Sequence, residues 1–286
     1  MCTQPPWEFC PLMLLGEQNL NSGNMEKNLL IILILAIFTS ACDSVDIDPD
    51  YPTTIHRISS VTLEQLRTEF AQTHVYLKSS LNGFGFCERH TGFEVNAQLP
   101  PVLDSLTEAE AREIIHTFVS NNPSATGVKH PEAFQLKWLR QTPAYPDGTI
   151  QWTARSANQV FDTLEVLDSK MYFSIKNREL VSAGNNWFPE IYVPAEFRVD
   201  LGEARSLLVG KVVSHYTIAG VEWKVTIAPE DVQASTSALK VLPIRDEDRI
   251  ELRVVWELYI PYPVHYLMYV DVMTGAVVKQ TPTIVS

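Results

Sequence analysis

The feature that most constrains the fold is an alternating segment, Ile250 to Ile260. Every second residue there is apolar, and the residues between include Glu251, Arg253 and Glu257. Side chains on a β-strand point alternately to opposite faces, so this segment predicts a strand with one buried face and one solvated face. Such a strand is typical of an antiparallel sheet. The chain must therefore supply neighbouring strands and a layer that covers the apolar face.

Three helices are predicted to supply that layer. Each begins at a capping pattern, in which a polar side chain accepts a hydrogen bond from a backbone N–H of the first turn. Apolar residues then recur at the three- and four-residue spacing of one helix face. The predicted helix starts are Thr62 with Gln65, Thr107 with Glu110, and Asp200 with Glu203.

Short strands separated by turn residues fill most of the remaining chain. The order is a helix followed by antiparallel strands, twice, which predicts an α+β fold with a helix on one face of each sheet. Residues 229–237 are predicted as a loop. The predicted strands are 134–140, 149–155, 159–167, 171–175, 180–183, 212–218, 221–227, 250–260, 266–272 and 276–280.

Composition narrows the function classes. The 286 residues carry 34 acidic and 22 basic side chains, for a net charge of −12, which argues against a broad basic face for nucleic acid. A hydrophobic fraction of 45% is enough for a packed core. We therefore expect a folded protein with no nucleic-acid partner.

The N-terminal segment predicts export. Residues 29–38 form an unbroken apolar run that is too short for a membrane span of about 20 residues but has the length of a signal-peptide core. Small residues and Cys42 follow it. The segment resembles a bacterial lipoprotein signal with Thr39-Ser40-Ala41-Cys42 as its lipobox, although the family usually has Leu where Thr39 stands.

This resemblance implies cleavage before Cys42 and a lipid anchor on its thiol. The protein would then be held to a membrane on the extracytoplasmic side of a bacterial cell envelope, in the periplasm or at the cell surface. The alternative is an ordinary secretory signal with an incidental Cys42. On the lipoprotein interpretation, residues 25–41 are the signal peptide, residues 42–60 are a tether, and residues 1–24 precede the true start at Met25.

The C-terminal strands resemble a PepSY domain. The resemblance rests on Val254–Leu258 and on Tyr269–Val278, where Val272 stands in place of the usual Ala. The helix Leu201–Arg205 also occupies the place of that family's helix. The resemblance implies a cystatin-like α+β fold for this part of the chain.

The preceding segment resembles the fungalysin/thermolysin propeptide domain. Residues 159–166 and 179–189 carry this resemblance, although residues 156–161 lack the Gly and Pro of the family's first motif. This family also implies a cystatin-like α+β fold. The predicted domains are 61–105 for an N-terminal helix and linker, 106–195 for a propeptide-like unit, and 196–286 for a PepSY-like unit.

In thermolysin-type precursors, such regions assist folding of the peptidase and inhibit it. The resemblance therefore implies a non-catalytic binding module, whose partner is a thermolysin-type metallopeptidase or another envelope protein. The alternative is a structural envelope or surface-assembly lipoprotein with no peptidase partner.

Familiar catalytic motifs are missing from the sequence. It has no His-Glu-x-x-His, no Gly-x-Ser-x-Gly and no phosphate-binding glycine loop, and its 7 histidines include no pair three or four residues apart. We therefore predict no enzyme activity, no cofactor and no metal site. An enzyme whose residues converge only in the folded chain stays open as a weaker alternative.

Four further features bear on function. Cys87, which lies near Arg89 and His90 in the sequence, is either a reactive thiolate or a buried thiol under a loop. Asp271 is interpreted as a turn residue that accepts from backbone N–H groups. The acidic group 246–248 is a solvated loop or a cation site, and Trp187-Phe188 is core packing or an exposed contact pair.

Overall fold

The computed structural model describes residues 50–89, 105–142, 149–184, 186–218, 221–261 and 264–283. Within these ranges the chain forms two main sheets with helices packed on them, so the predicted α+β fold is confirmed. No helix in these ranges is long and apolar enough to span a bilayer. The predicted signal peptide and Cys42 lie outside them.

Helices and strands follow one another along the described chain in this order. The elements are β1 (Thr53–His56), α1 (Ser60–Thr73), β2 (Ser80–Leu81), β3 (Cys87–Glu88), α2 (Glu108–Asn121), α3 (Pro123–Thr126), a 3-10 turn (Pro131–Ala133), β4 (Leu136–Gln141), β5 (Gln151–Ser156), β6 (Val160–Phe161), β7 (Leu164–Val166), β8 (Tyr172–Lys176), β9 (Glu179–Gly184), α4 (Leu201–Ser206), β10 (Val212–Ile218), β11 (Val221–Thr226), α5 (Pro229–Gln233), β12 (Thr236–Arg245), β13 (Arg249–Ile260), β14 (Tyr266–Asp271) and β15 (Val277–Pro282).

The first sheet is antiparallel, with four strands in the order β4-β5-β8-β9. Helices α1 and α2 share one hydrophobic core with it. Phe70 of α1 and Ile115 and Phe118 of α2 belong to this core, together with Phe173 and Ile175 of β8. Two helices therefore contribute to the core beside this sheet, where the sequence predicted one.

Local sequence explains where the helices begin. Thr107 accepts from the Glu110 backbone N–H at 3.3 Å, and the Glu110 carboxylate accepts from the Thr107 N–H at 2.8 Å, so the predicted capping box of α2 is confirmed. The predicted capping box of α4 is also present. The predicted cap of α1 is wrong, because the Ser59 hydroxyl accepts from the Thr62 N–H and Ser59 is the capping residue.

The second sheet has the strand order β15-β14-β13-β12-β7-β6, and β1 also pairs with β13. Among the described pairs only β12 with β7 is parallel. β6 and β7 come from the range predicted as the propeptide-like unit. β1 comes from residues 42–60, so this part of the predicted tether is a strand of the sheet.

β13 is the strand predicted from alternation. Ile250 and Leu252 are fully buried, as predicted for the apolar face. The opposite face is less solvated than predicted, because Val255 is fully buried in a cluster with Leu242 and Tyr269. Both faces of β13 therefore contribute to packing.

The prediction of a loop at residues 229–237 is wrong. This range contains α5 and the start of β12, which continues to Arg245. Val241 and Leu242 are consecutive residues that are both buried, in different clusters, so no alternation marks the strand. Pro243 lies inside it, and proline argues against a strand in sequence-based prediction.

The segment predicted as one strand at residues 159–167 forms two. β6 and β7 are joined by Asp162 and Thr163, which have φ angles of 44° and 74°. Positive φ at both central residues is typical of a type I′ hairpin turn. The sequence does not predict this turn, because it has Thr where such turns usually have Gly.

Candidate functional site

Three adjoining cavities meet near the C-terminal ends of α1 and α2. Their volumes are about 700, 300 and 250 Å3, and Thr73 and His74 line all three. We call them together the His74 groove. The turn at residues 178–180 and the segment 75–77 provide further walls.

His74 is fixed by contacts to both helices. Its ring centroid lies 4.7 Å from that of Phe70 and 5.3 Å from that of Phe118. The Asn122 side-chain nitrogen donates to the Phe118 carbonyl at 2.7 Å, so Asn122 Oδ1 is left to accept from His74 Nε2 at 2.8 Å. The imidazole therefore links the ends of the two helices.

Apolar side chains form much of the groove wall. Six of them come from α1, from α2 and the segment just before it, and from β9. An apolar interior of this size suits hydrophobic side chains of a ligand or a partner chain. The six are Leu66, Phe70, Leu106, Ile114, Phe118 and Leu180.

Carboxylates surround this apolar wall. Arg178 lines the largest cavity, and its Nη1 lies 3.1 Å from Glu110 Oε1. The Thr107 backbone N–H is the main cause that holds the pKa of Glu110 below its usual range, so Glu110 is ionised at neutral pH. The four carboxylates that line the groove are Glu69, Glu110, Glu113 and Glu179.

Sequence analysis did not single out this groove. Phe70 and His74 are four residues apart, which places both on one face of a helix and was the available signal. Much of the remaining wall comes from α2 and the β8–β9 turn. α2 begins at Glu108, 35 positions after the end of α1 at Thr73, and the β8–β9 turn lies later still, so no local pattern brings these parts together.

Cys87 is a buried thiol. Its side chain is fully buried, and Sγ donates to the Ala183 carbonyl at 3.4 Å. Burial raises the pKa of Cys87 to about 12, so the thiol is protonated at neutral pH. The interpretation as a reactive thiolate is therefore wrong.

Asp271 closes the turn after β14, as the sequence predicted. Its Oδ1 accepts from the backbone N–H groups of Met273 and Thr274 at 2.9 and 2.8 Å. Its Oδ2 accepts from the Tyr51 hydroxyl at 2.9 Å and from the Arg253 guanidinium at 3.0 Å. The carboxylate is fully buried and holds the turn, β13 and the N-terminal segment together.

The acidic group 246–248 forms the turn between β12 and β13. Asp246 Oδ1 accepts from the backbone N–H groups of Asp248 and Arg249 at 2.9 and 2.8 Å, and these bonds lower the pKa of Asp246. Its carboxylate therefore stabilises the turn. Within the described ranges, no group of three or more His, Cys, Asp or Glu side chains converges as a metal site.

Trp187 and Phe188 are core residues, with 7% and 1% of their surface exposed. The Trp187 ring lies 5.5 Å from that of Phe134. The Gln159 side chain holds the Phe188 backbone, donating to its carbonyl at 2.7 Å and accepting from its N–H at 3.0 Å. The interpretation of this pair as an exposed contact surface is wrong.

Comparisons with known proteins give one weak structural likeness and no family. No family model matches the chain, and no curated protein matches it. Among solved structures, the Bacillus megaterium YpeB C-terminal domain is 9% identical and aligns over 80% of this chain and 99% of its own length, with a TM-score of 0.28. A likeness at this TM-score assigns neither a family nor a function.

Proposed function

We propose that this chain is a lipid-anchored, extracytoplasmic binding module that takes a segment of a partner protein into the His74 groove. The groove is the observation that carries the proposal. Its largest part has a volume of about 700 Å3, is lined by apolar side chains and is bordered by carboxylates. Concave apolar surfaces with a few polar groups are where proteins bind ligands and peptide segments.

Charge indicates what kind of segment fits. Four carboxylates line the groove, and its one described lining cation, Arg178, is paired with Glu110. A complementary segment carries apolar side chains for the interior and Lys or Arg for the border. Val75 and Tyr76 extend the apolar surface, with 69% and 40% of their area exposed.

The class of partner comes from the sequence. The resemblance to propeptide and PepSY domains supports a thermolysin-type metallopeptidase, whose activity the module would restrain or whose folding it would assist. The lipobox-like sequence ending at Cys42 supports capture at the outer face of a membrane. The absence of familiar catalytic motifs from the sequence supports a non-catalytic role.

Site-specific crosslinking in bacterial cells tests the groove directly. A photoreactive phenylalanine replaces Thr117, which is exposed in the groove, or Glu196, which is exposed elsewhere, in the full chain. We expect a discrete adduct that contains a metallopeptidase from position 117 and not from position 196. Identical adducts from both positions, or none from position 117, would contradict the proposal.

Charge reversal then tests the binding chemistry with the captured peptidase in purified form. We expect Glu113→Lys to weaken binding about tenfold or more, because it places a cation at an acidic border. Glu196→Lys makes the same change in net charge outside the groove and should leave affinity unchanged. If the position-117 adducts contain only other envelope proteins, the structural alternative replaces the peptidase-binding function.

A further inference from the structure

A second cavity shares no described lining residue with the His74 groove. Its volume is about 460 Å3, and it lies where the end of β12, the residues that precede β8 and the outer strand β15 come together. We call it the Arg245 cavity. The polar residues that line it are Asp168, Lys170, Tyr172, Asn186, Arg245 and Lys279.

The charge of this cavity is opposite to that of the whole chain. Three cationic side chains face one carboxylate, an excess of two positive charges in a protein whose net charge is −12. In the part of the chain that the structure describes, none of the three forms a salt bridge. The nearby Lys240, by contrast, is paired with Glu165. Glu88 acts on Arg245 and Glu165 acts on Lys170 through longer-range attraction. Among the residues that line the cavity, positive charge is still in excess.

Arg245 is held in position before any ligand arrives. Its Nη2 donates to Asn186 Oδ1 at 2.9 Å, and its guanidinium carbon lies 5.7 Å from the centre of the Phe188 ring. A guanidinium has five N–H donors, so this one contact leaves others for a ligand. Phe188 is itself fixed in the core by Gln159, which makes this support rigid.

We propose that the Arg245 cavity binds a phosphate group. At neutral pH a phosphate monoester carries a charge of about −1.5 to −2, which matches the excess positive charge. Arginine presents a planar fork that suits phosphate oxygens, lysines add point charges, and the Tyr172 hydroxyl is a further donor. The source is either a soluble phosphate compound or a phospholipid headgroup. The inference does not depend on the proposed function of the His74 groove.

Calorimetric titration of the full chain with inorganic phosphate tests the site. We expect Lys170→Ala with Lys279→Ala to weaken phosphate binding about tenfold or more, because two charged donors are lost. The matched double variant, Lys137→Ala with Lys211→Ala, removes two exposed lysines outside the cavity and should bind phosphate like the unaltered chain. Arg245→Gln should reduce binding as well, which checks the residue that anchors the site.

Vesicles distinguish the two sources of phosphate. If the ligand is a headgroup, we expect the unaltered chain to bind phosphatidic acid vesicles and free phosphate to compete with that binding. The Lys170→Ala with Lys279→Ala variant should lose vesicle binding, and the matched double variant should keep it. A soluble ligand gives phosphate binding without such vesicle dependence. If phosphate binds no better than chloride at equal ionic strength, and vesicle binding falls equally in both double variants, the proposal is overturned.

Discussion

At the scale of residues, Tyr51 shows what sequence analysis reached and what it missed. The turn role of Asp271 was predictable, because the N–H groups that it accepts from lie two and three residues away. Tyr51 was not, because it meets Asp271 across 220 positions of the chain. Its hydroxyl also accepts from the Val254 N–H at 3.0 Å, which ties the N-terminal segment to β13.

We expect Tyr51→Phe to reduce the free energy of unfolding by about 1–3 kcal/mol, because the buried Val254 N–H loses its Tyr51 acceptor and the buried Asp271 carboxylate loses one of its donors. Urea unfolding measures the change. The matched variant Tyr76→Phe removes a hydroxyl from a side chain that is 40% exposed and should cost less than about 0.5 kcal/mol. Equal losses of unfolding free energy in the two variants would show that the buried Tyr51 hydroxyl contributes no more to stability than an exposed one.

The stability that the Tyr51 hydroxyl contributes should depend on pH. Burial, followed by the neighbouring Asp271 carboxylate, raises the pKa of Tyr51 above its usual value of 10.0. A group whose pKa is raised by folding stabilises the fold below its unfolded pKa and loses that contribution as pH rises. The stability difference between the unaltered chain and Tyr51→Phe should therefore shrink above about pH 10. A stability difference that stays constant above about pH 10 would contradict the buried hydrogen bond between Tyr51 and Asp271.

At the scale of elements, the helices and strands that could be predicted are those whose pattern lies within a short stretch of sequence. α2 has its capping box and β13 its alternation within a dozen or so residues. β12 has neither, because its neighbours bury both of its faces and Pro243 interrupts the pattern. The His74 groove and the Arg245 cavity are assembled from several elements, so their residues become neighbours only in the folded chain.

Two glycines with positive φ, one that ends α3 and one in the turn after α4, offer a matched test of element packing. Gly127 ends α3 with a φ of 70°, and a Cβ there would lie 2.3 Å from the Trp187 carbonyl oxygen. Gly210 has a φ of 80° with nothing within 4 Å of a Cβ. Both alanine variants bear the strain of positive φ, about 1 kcal/mol, and only the first also displaces the Trp187 backbone.

We therefore expect Gly127→Ala to cost about 2–4 kcal/mol and Gly210→Ala about 1 kcal/mol, as measured by urea unfolding. The difference between the two values reports the packing of α3 against the segment that holds Trp187. If the two variants lose the same stability, α3 does not lie this close to Trp187.

At the scale of the whole molecule, the second sheet gathers distant parts of the sequence. β1 precedes the first helix, β6 and β7 lie between strands of the first sheet, and β12 to β15 end the described chain. Strand pairing thus crosses the ranges that the family resemblances suggested. In the sequence, Cys42, the predicted point of lipid attachment, precedes the first residue of β1 by eleven positions.

The proposed membrane attachment depends on whether Cys42 is lipidated. In bacterial cells fed radiolabelled palmitate, we expect the full chain to be labelled and Cys42→Ser to be unlabelled, because the lipid attaches through the Cys42 thiol. Cys87→Ala removes the other cysteine that remains after cleavage before Cys42 and should leave labelling unchanged. The labelled chain should partition into detergent, since two or more acyl chains give stable membrane attachment. An exported chain that carries no label would instead identify an ordinary secretory signal with an incidental Cys42.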